Sequence, residues 1–465
     1  MSSSTTGASP EASPLQSPAR HPLLALLIRL HLYIGLLVGP FIFVAALSGL
    51  VYALTPQLED RLYAHQLYTD SSGTPMPLSH QVAIAQAEIG EAARLSAVRP
   101  STGPGTTTRV MFVTPELGPS ESRALFIDPV TGEIRGDLLV YGTSGVLPLR
   151  TWIDQFHRSL LLGEPGRIYS ELAASWLWVA ALGGLALWFI RRKRQRAAHL
   201  TRRSGLRHWH ATLGLCLLLG LLFFSATGMT WSRWAGGNIG VARAALGMST
   251  PGLSTTLNGE AAMPAGEHDH HAGMAMHAGG DHMAATDPAL FDAVLGAARA
   301  AGIEASKLEI VPPRQPNRAW TVTEIDRSWP TQVDAVAVDP HSMTVTDRIE
   351  FASFPIAAKL TRWGIDAHMG VLFGLANQLL LAATALGLVI LIALGYLMWW
   401  RRRAQRSQGD RTVFQALRDL SPGGRFGAAA VALFFGYCLP VLGVSLLMFL
   451  IVDVLRSRRN RPPTA

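Results

Sequence analysis

The sequence predicts an α-helical membrane protein with four transmembrane helices plus a C-terminal fifth helix or hairpin, two small periplasmic α+β domains, and an internal two-fold repeat. Three observations predict it. Only 15% of the 465 residues are charged while 49% are apolar, against about a quarter charged in soluble domains, so much of the chain sits where charge is costly. Apolar runs at 32–54, 172–190, 211–231 and 371–400 each match the roughly 20 residues that cross a 30 Å hydrocarbon core. Finally, runs one and three, and runs two and four, carry the same residue types at the same offsets.

Taken in order, residues 1–22 are rich in Ser, Pro and Ala, reach Arg20, and have no small-residue cleavage site after the first apolar run. They are expected to form a disordered cytoplasmic tail rather than a signal peptide. Span one (23–54) leads to a first periplasmic domain (55–167) and span two (168–190). The loop 191–207 holds Arg191, Arg192, Lys193, Arg194, Arg196, Arg202, Arg203 and Arg207 without an acid, which places it in the cytoplasm by the positive-inside rule. Span three (208–232), an insertion (233–286), a second periplasmic domain (287–365) and span four (366–400) follow. The loop 401–424 opens on three arginines and is again cytoplasmic. The apolar segment 425–454 contains Pro440 and precedes a basic tail, 455–465. One span would leave that tail outside and a hairpin would return it inside, and both readings stand at this level.

The net charge of +8, from 40 basic and 32 acidic residues, is carried by Arg clustered beside apolar runs, which argues against nucleic acid as a partner. Cys216 and Cys438 lie far apart within apolar runs, so no disulfide framework, zinc site or C-x-x-C-H attachment can form. Any haem is therefore held non-covalently.

The repeat is specific. His31 and His210 are each followed by Gly at +4 (Gly35, Gly214), a hydroxyl residue at +17 (Ser48, Thr227) and Gly at +18 (Gly49, Gly228). That register selects His210 over His208, to which no role is assigned. His157 and His368 each have Gly at +6 (Gly163, Gly374), and spans two and four leave through A-L-G, Trp188 or Trp399, and an Arg cluster. Two copies with an even number of spans share one orientation and imply an axis along the membrane normal. Outside the membrane each copy predicts an Ala-rich helix (82–95; 290–301), alternating strand-like runs, and an Asp-Pro turn at Asp128-Pro129 or Asp339-Pro340.

Topology puts His31 and His210 at the cytoplasmic ends of spans one and three, and His157 and His368 at the periplasmic entrances of spans two and four. That makes one pair per leaflet, about 20 to 30 Å apart at 1.5 Å of rise per residue. Neutral imidazoles on facing helices make axial ligands for a six-coordinate haem iron suited to electron transfer. The glycines at +4 and +6 are expected to leave room for a macrocycle against the helix; close helix packing is the alternative. Arg29 and Arg207 flank the inner pair, and Arg158 and Arg362 the outer pair, where they could bind propionates or anchor the chain at the interface. Trp152, Trp209, Trp363 and Trp399 read as an aromatic belt. Catalytic residues proper are not identified.

The segments H-L-Y-I-G-L at His31, F-H-R-S-L-L-L-G at His157, R-H-W-H-A-T-L-G-L at His210 and D-A-H-M-G-V-L-F-G at His368 together resemble the PepSY-associated transmembrane family, which includes iron-regulated inner-membrane proteins and ferric-siderophore reductases. F-I-D-P-V-T-G-E-I at Phe126 and V-D-P-H-S at Val338 resemble PepSY domains, the second departing with His341-Ser342-Met343 in place of Val130-Thr131-Gly132. The resemblance covers most of 20–405. It implies a multi-pass protein of the bacterial inner membrane with a cytoplasmic N-terminus, binding two haem b by bis-His ligation and passing electrons to a periplasmic ferric complex, with a ferric siderophore as the favoured substrate.

Residues 268–283 read H-D-H-H-A-G-M-A-M-H-A-G-G-D-H-M. Imidazole suits Cu(II) and thioether Cu(I), so His268, His270, His271, Met274, Met276, His277, His282 and Met283 could follow copper through a redox change; the alternative is a solvated low-complexity linker. A cupric reductase or copper-handling protein is thus a second reading, and a non-catalytic envelope sensor or protease-inhibitor module a third. Transport is disfavoured because the four span interiors lack acids, Glu171 and Asp453 lying at edges. No nucleotide fingerprint sits at a strand-to-helix turn, so electrons must come from a separate donor, quinol or a cytoplasmic reductase.

Overall fold

The computed structural model describes residues 22–90, 92–118, 120–142, 145–197, 205–257, 286–402 and 412–459. Four helices are long and apolar enough to cross a membrane: Pro22–Ala53, Gly163–Lys193, Leu206–Thr230 and Gly374–Arg402, of 32, 31, 25 and 29 residues. At 1.5 Å per residue they measure about 38 to 48 Å, which exceeds the hydrocarbon core and carries their ends into the interfaces. Ile34, Val38, Ile42, Trp176, Leu221 and Leu388 form their common core. Between lipid-solvated helices packing replaces the hydrophobic effect as the cohesive force, and small residues permit close approach. A Cβ on Gly220 would lie 2.6 Å from the Thr384 side chain and one on Gly387 2.8 Å from Leu217, so the third and fourth spans meet through a glycine on each. Ser225 Oγ donates to the Ala174 carbonyl at 2.6 Å and ties the third span to the second.

The first span is interrupted three residues after His31 by a π-turn, Ile34–Val38, and then by Pro40. Proline has no N–H to offer the carbonyl four residues back. That carbonyl, Leu36, accepts instead from Tyr396 Oη at 2.9 Å, which joins the first span to the fourth.

Outside the spans, helix α1 (Leu78–Ile89) precedes strands β1 (Arg94–Arg99), β2 (Thr108–Val113), β3 (Glu121–Ile127) and β4 (Ile134–Tyr141), and α2 (Pro148–Ser159) leads into the second span. After the third span come α3 (Trp234–Ala245), α4 (Leu290–Ala300), β5 (Leu308–Val311), β6 (Trp320–Glu324), β7 (Ala335–Val338), β8 (Val345–Ile349) and α5 (Ile356–His368), which leads into the fourth. Glu171, buried within the second span, accepts from the backbone N–H groups of Trp234 and Ala235 at 3.1 and 3.0 Å. This acid thus caps the start of α3, where a negative charge is favoured.

The two strand sets, expected as separate domains, join edge to edge. Val98 of β1 pairs with Ile310 of β5, giving one antiparallel eight-stranded sheet in the order β4-β3-β2-β1-β5-β6-β7-β8. Alternation sends Val98, Val110, Phe112, Ile310, Val322 and Val336 to one face, where Val82 of α1 and Phe291 and Val294 of α4 cover them in a single core. Sequence alone could not reveal this fusion, because an outer strand that pairs with a partner has the same alternation as one that faces water.

Both Asp-Pro turns close the same way. Asp128 Oδ1 accepts from the N–H of Val130 at 2.8 Å, and Asp339 Oδ1 from that of His341 at 2.9 Å. Gly132 and Met343 occupy the same left-handed position, at φ 77° and 54°. The departure in the second motif therefore leaves the turn intact, with a methionine in a conformation that favours glycine.

The C-terminal segment is a hairpin of α6 (Pro422–Cys438) and α7 (Pro440–Arg459). A residue before proline is disfavoured in the helical region, and Leu439 adopts φ −126° and ψ 79°. At the turn, Asn238 of α3 donates to the carbonyls of Tyr437 and Cys438 at 3.3 and 3.1 Å. At the other end Asp453 accepts from the Tyr33 hydroxyl and from Phe414 N–H, beside the inner histidines. The second arm of the hairpin thus runs from α3 at the turn to the inner histidines at its far end.

Candidate cofactor site

The four histidines meet in the pairs expected from the repeat. The rings of His31 and His210 have centroids 6.4 Å apart with planes at 84°, and those of His157 and His368 lie 6.5 Å apart at 49°. His157 and His368 each lie near the end of a short helix, α2 or α5, rather than within a span. From His31 to Ser48, which touches His157, is 17 residues, so the pairs are separated by about 25 Å of helix rise.

Hydroxyls and a carbonyl orient three of the rings. Ser48 Oγ donates to the Val44 carbonyl at 2.7 Å and lies 2.9 Å from His157 Nδ1. With its proton so engaged, the hydroxyl accepts from Nδ1–H. Thr227 does the same for His368, donating to Phe223 O at 2.7 Å and standing 2.7 Å from Nδ1. His210 Nδ1 donates to the Leu391 carbonyl at 3.0 Å, whereas His31 Nδ1 is buried without a hydrogen-bond partner among the described residues. An Nδ1–H so placed fixes the tautomer that leaves Nε2 unprotonated for a metal, the usual outer-shell device of ligating histidine.

The separations suit one metal held between two rings. Bonds of about 2 Å from each nitrogen, with about 1.1 Å from nitrogen to ring centroid, place the centroids about 6.3 Å apart, against 6.4 and 6.5 Å here. Among the described residues no group of three or more His, Cys, Asp or Glu is placed to hold a metal.

The glycines have different surroundings. Gly163 and Gly374 have φ of 65° and 56°, the left-handed region that favours glycine, and open the second and fourth spans with nothing within 4 Å of where a Cβ would stand. Gly35 likewise faces open space and Gly214 faces Leu391. The glycines against the rings are Gly184 and Gly49, where a Cβ would lie 3.2 Å from His31 Cε1 and from His157 Cε1, and Gly395, 3.6 Å from His210 Cε1. The offset of 211 residues that relates His157 to His368 also relates Gly184 to Gly395 and Ala180 to Leu391, so the signal was present. Similarly, Trp231 packs on His368 at 5.5 Å, and the His31/His210 register aligns it with Tyr52.

Arg158 donates to Tyr141 Oη at 2.9 Å and Gln155 at 3.1 Å, while Arg362 lies 4.0 Å from the buried Asp366. Arg29 is half-buried two residues before His31, and Arg207 is exposed. Trp152 and Trp209 are exposed at 58% and 64%, as a belt requires. Residues 268–283, with all eight proposed copper ligands, lie outside the described residues.

The sheet face opposite α1 and α4 carries a second apolar cluster, with Met111, Ala124 and Phe126, and charged groups beside it. Arg99 pairs with Glu309 and Arg150 with Glu59, each at 2.6 Å. Arg109 lies 4.9 Å over the Phe126 ring and donates to Gly145 O at 2.7 Å. Burial, with Arg99 nearby, brings the Arg109 guanidinium down to about 9, and burial beside Arg362 brings Arg327 down to about 10. Burial also pushes the Glu59 carboxyl up against the pull of Arg150.

This combination defines a multi-pass helical membrane protein carrying paired histidines at two depths beneath an extramembrane sheet. The family described as the PepSY-associated TM region matches residues 28–402, and the chain belongs to that family. None of the curated proteins matches the chain.

Proposed function

We propose that the protein is a di-haem b electron-transfer protein of the bacterial inner membrane, built as two copies of one unit, that takes electrons from a quinol or a cytoplasmic reductase and reduces a metal complex in the periplasm. The observation that carries this is the meeting of four histidines as two pairs with ring separations of 6.4 and 6.5 Å at two depths. The eight basic residues of 191–207 support a cytoplasmic position for the inner pair and a periplasmic one for the sheet. Bound haem iron would supply one-electron redox chemistry at each level. The chain's own part is orientation: Ser48, Thr227 and the Leu391 carbonyl hold the Nδ1–H of His157, His368 and His210, and Phe223, Phe224 and Trp231 crowd His368 with ring separations of 5.5 to 6.2 Å, excluding water. A ferric siderophore is the substrate the family resemblance favours. The His/Met-rich 268–283 segment supports cupric ion as a second substrate.

The test is the reduced-minus-oxidised spectrum of purified protein with haem counted per chain. Two haems are expected; His31→Ala or His210→Ala should remove one and spare the other, and His157→Ala or His368→Ala should do the converse. A colourless protein, or retention of both haems in all four variants, overturns the assignment.

A further inference from the structure

The two copies of the repeat part company around His31. Three of the four histidines have an Nδ1 partner: Ser48 for His157, Thr227 for His368 and the Leu391 carbonyl for His210. His31 does not. Its Nδ1 is buried, the Ala180 carbonyl lies near it, and among the described residues no hydrogen bond closes. The flank of the ring differs too. A Cβ on Gly183 would stand 3.8 Å from His31 Nδ1, whereas the repeat sets Leu394 at the corresponding position of the fourth span. The backbone differs as well: the π-turn Ile34–Val38 begins three residues after His31, and Pro40 follows it. The third span runs through the same register as unbroken α-helix, Leu206–Thr230, with Leu219 in the place of Pro40. Each difference loosens the same ligand. An outer-shell partner holds a ligating imidazole in orientation and raises its basicity, and losing it lowers metal affinity about 10- to 100-fold. Glycine beside the ring leaves it a direction in which to swing, where a larger side chain would fill the space. A π-turn is a local widening of the helix that recurs at functional sites, and here it adjoins the turn that carries His31. His210 keeps its partner, so one ligand of the inner pair is fixed and the other releasable.

We propose that His31 is a displaceable ligand, and that the inner pair admits a small neutral diatomic molecule, such as carbon monoxide or nitric oxide, to the iron in its place. The inference rests on the di-haem reading above. The molecule is small because the space gained between packed helices is that of a swung imidazole, and neutral because charge within a span is costly. In the substitution one coordinate bond, from His31 Nε2, breaks and one forms to the incoming donor atom; no electron or proton is transferred. The outer pair does not share the property, since both its histidines have hydroxyl partners and Phe223, Phe224 and Trp231 surround His368.

Carbon monoxide is titrated into full-length, dithionite-reduced protein in lipid nanodiscs, and absorbance is recorded against the reduced protein with haem counted per chain. One carbon monoxide should bind per chain at low concentration, and the second level should need at least about tenfold more. His157→Ala, which removes the outer haem, should keep the tight binding, and His210→Ala, which removes the inner one, should abolish it. Gly183→Ser sets a hydroxyl where it can accept from His31 Nδ1–H, as Ser48 does for His157, and should weaken the tight binding about tenfold. Gly183→Ala fills the same space without an acceptor and should weaken it less. The parent protein and His157→Ala decide the matter if Gly183→Ser does not fold. Two haems with no carbon monoxide bound, equal affinity at both levels, or tight binding at the outer level alone overturns the proposal and leaves the di-haem reading standing. Unaltered affinity in Gly183→Ser does the same. A protein that holds no haem sinks that reading and the proposal with it.

Discussion

Replacing Thr227 with valine tests whether the hydroxyls govern cofactor retention. Valine keeps the branched shape, so packing around the third span is preserved and the change is confined to one oxygen. That oxygen lies 2.7 Å from His368 Nδ1, and the ring is otherwise surrounded by Phe223, Phe224 and Trp231, none of which can accept the proton. A buried donor left without a partner costs about 1 to 3 kcal/mol, and loss of an outer-shell partner to a ligating histidine lowers metal affinity about 10- to 100-fold; the two ranges agree. The assay is transfer of haem to an excess of a haem-scavenging globin, with the inner pair as internal standard. The outer haem should leave about 10- to 100-fold more readily in Thr227→Val, and Thr227→Ser should behave as the parent. Equal loss from both levels, or no change at the outer one, would refute the argument that the hydroxyl acts through His368.

Gly184→Leu places a branched side chain where even a Cβ would be 3.2 Å from His31 Cε1; it should remove the inner haem and spare the outer one, as the spectrum of the variant will report. Asp128 is raised by burial but lowered further by Thr69, Ser71 and the N–H groups of Val130 and Thr131, to a net value of about 2 against an ordinary 3.8. Because the folded value is the lower one, its contribution is complete above 3.8 and is lost as pH falls toward 2; thermal melts across that window should show a slope that Asp128→Asn flattens, and an unchanged slope would discount the turn. Deletion of 268–283 should slow reoxidation of the reduced protein by Cu(II) in stopped flow while leaving ferric-siderophore reoxidation nearly unchanged, and identical copper rates would return the segment to a linker.

Much of the site was legible because the chain carries two versions of it. One His at a helix end says little, but His31 and His210 with hydroxyls 17 residues on, and His157 and His368 with matched flanks, align only in one register. The hydroxyls themselves were visible as repeat markers, yet their contact with the other span's histidine was not, because contact across helices depends on rotation that the offsets leave free. The glycines against the inner rings were not singled out for the same reason: Gly163 and Gly374 have positive φ, whereas Gly184 and Gly395 face His31 and His210.

The sequence by itself determined the four spans and the pairing of the histidines at two levels, since length, hydropathy and repeat offsets are read directly from residue type. Only the tertiary structure decided that two strand sets share one sheet through β1 and β5, that the C-terminal segment returns as a hairpin, and that Ser48 and Thr227 each meet the histidine of another element. Edge pairing, helix rotation and the convergence of side chains from distant segments are properties of packing, and a one-dimensional pattern leaves them open until the faces of the elements meet.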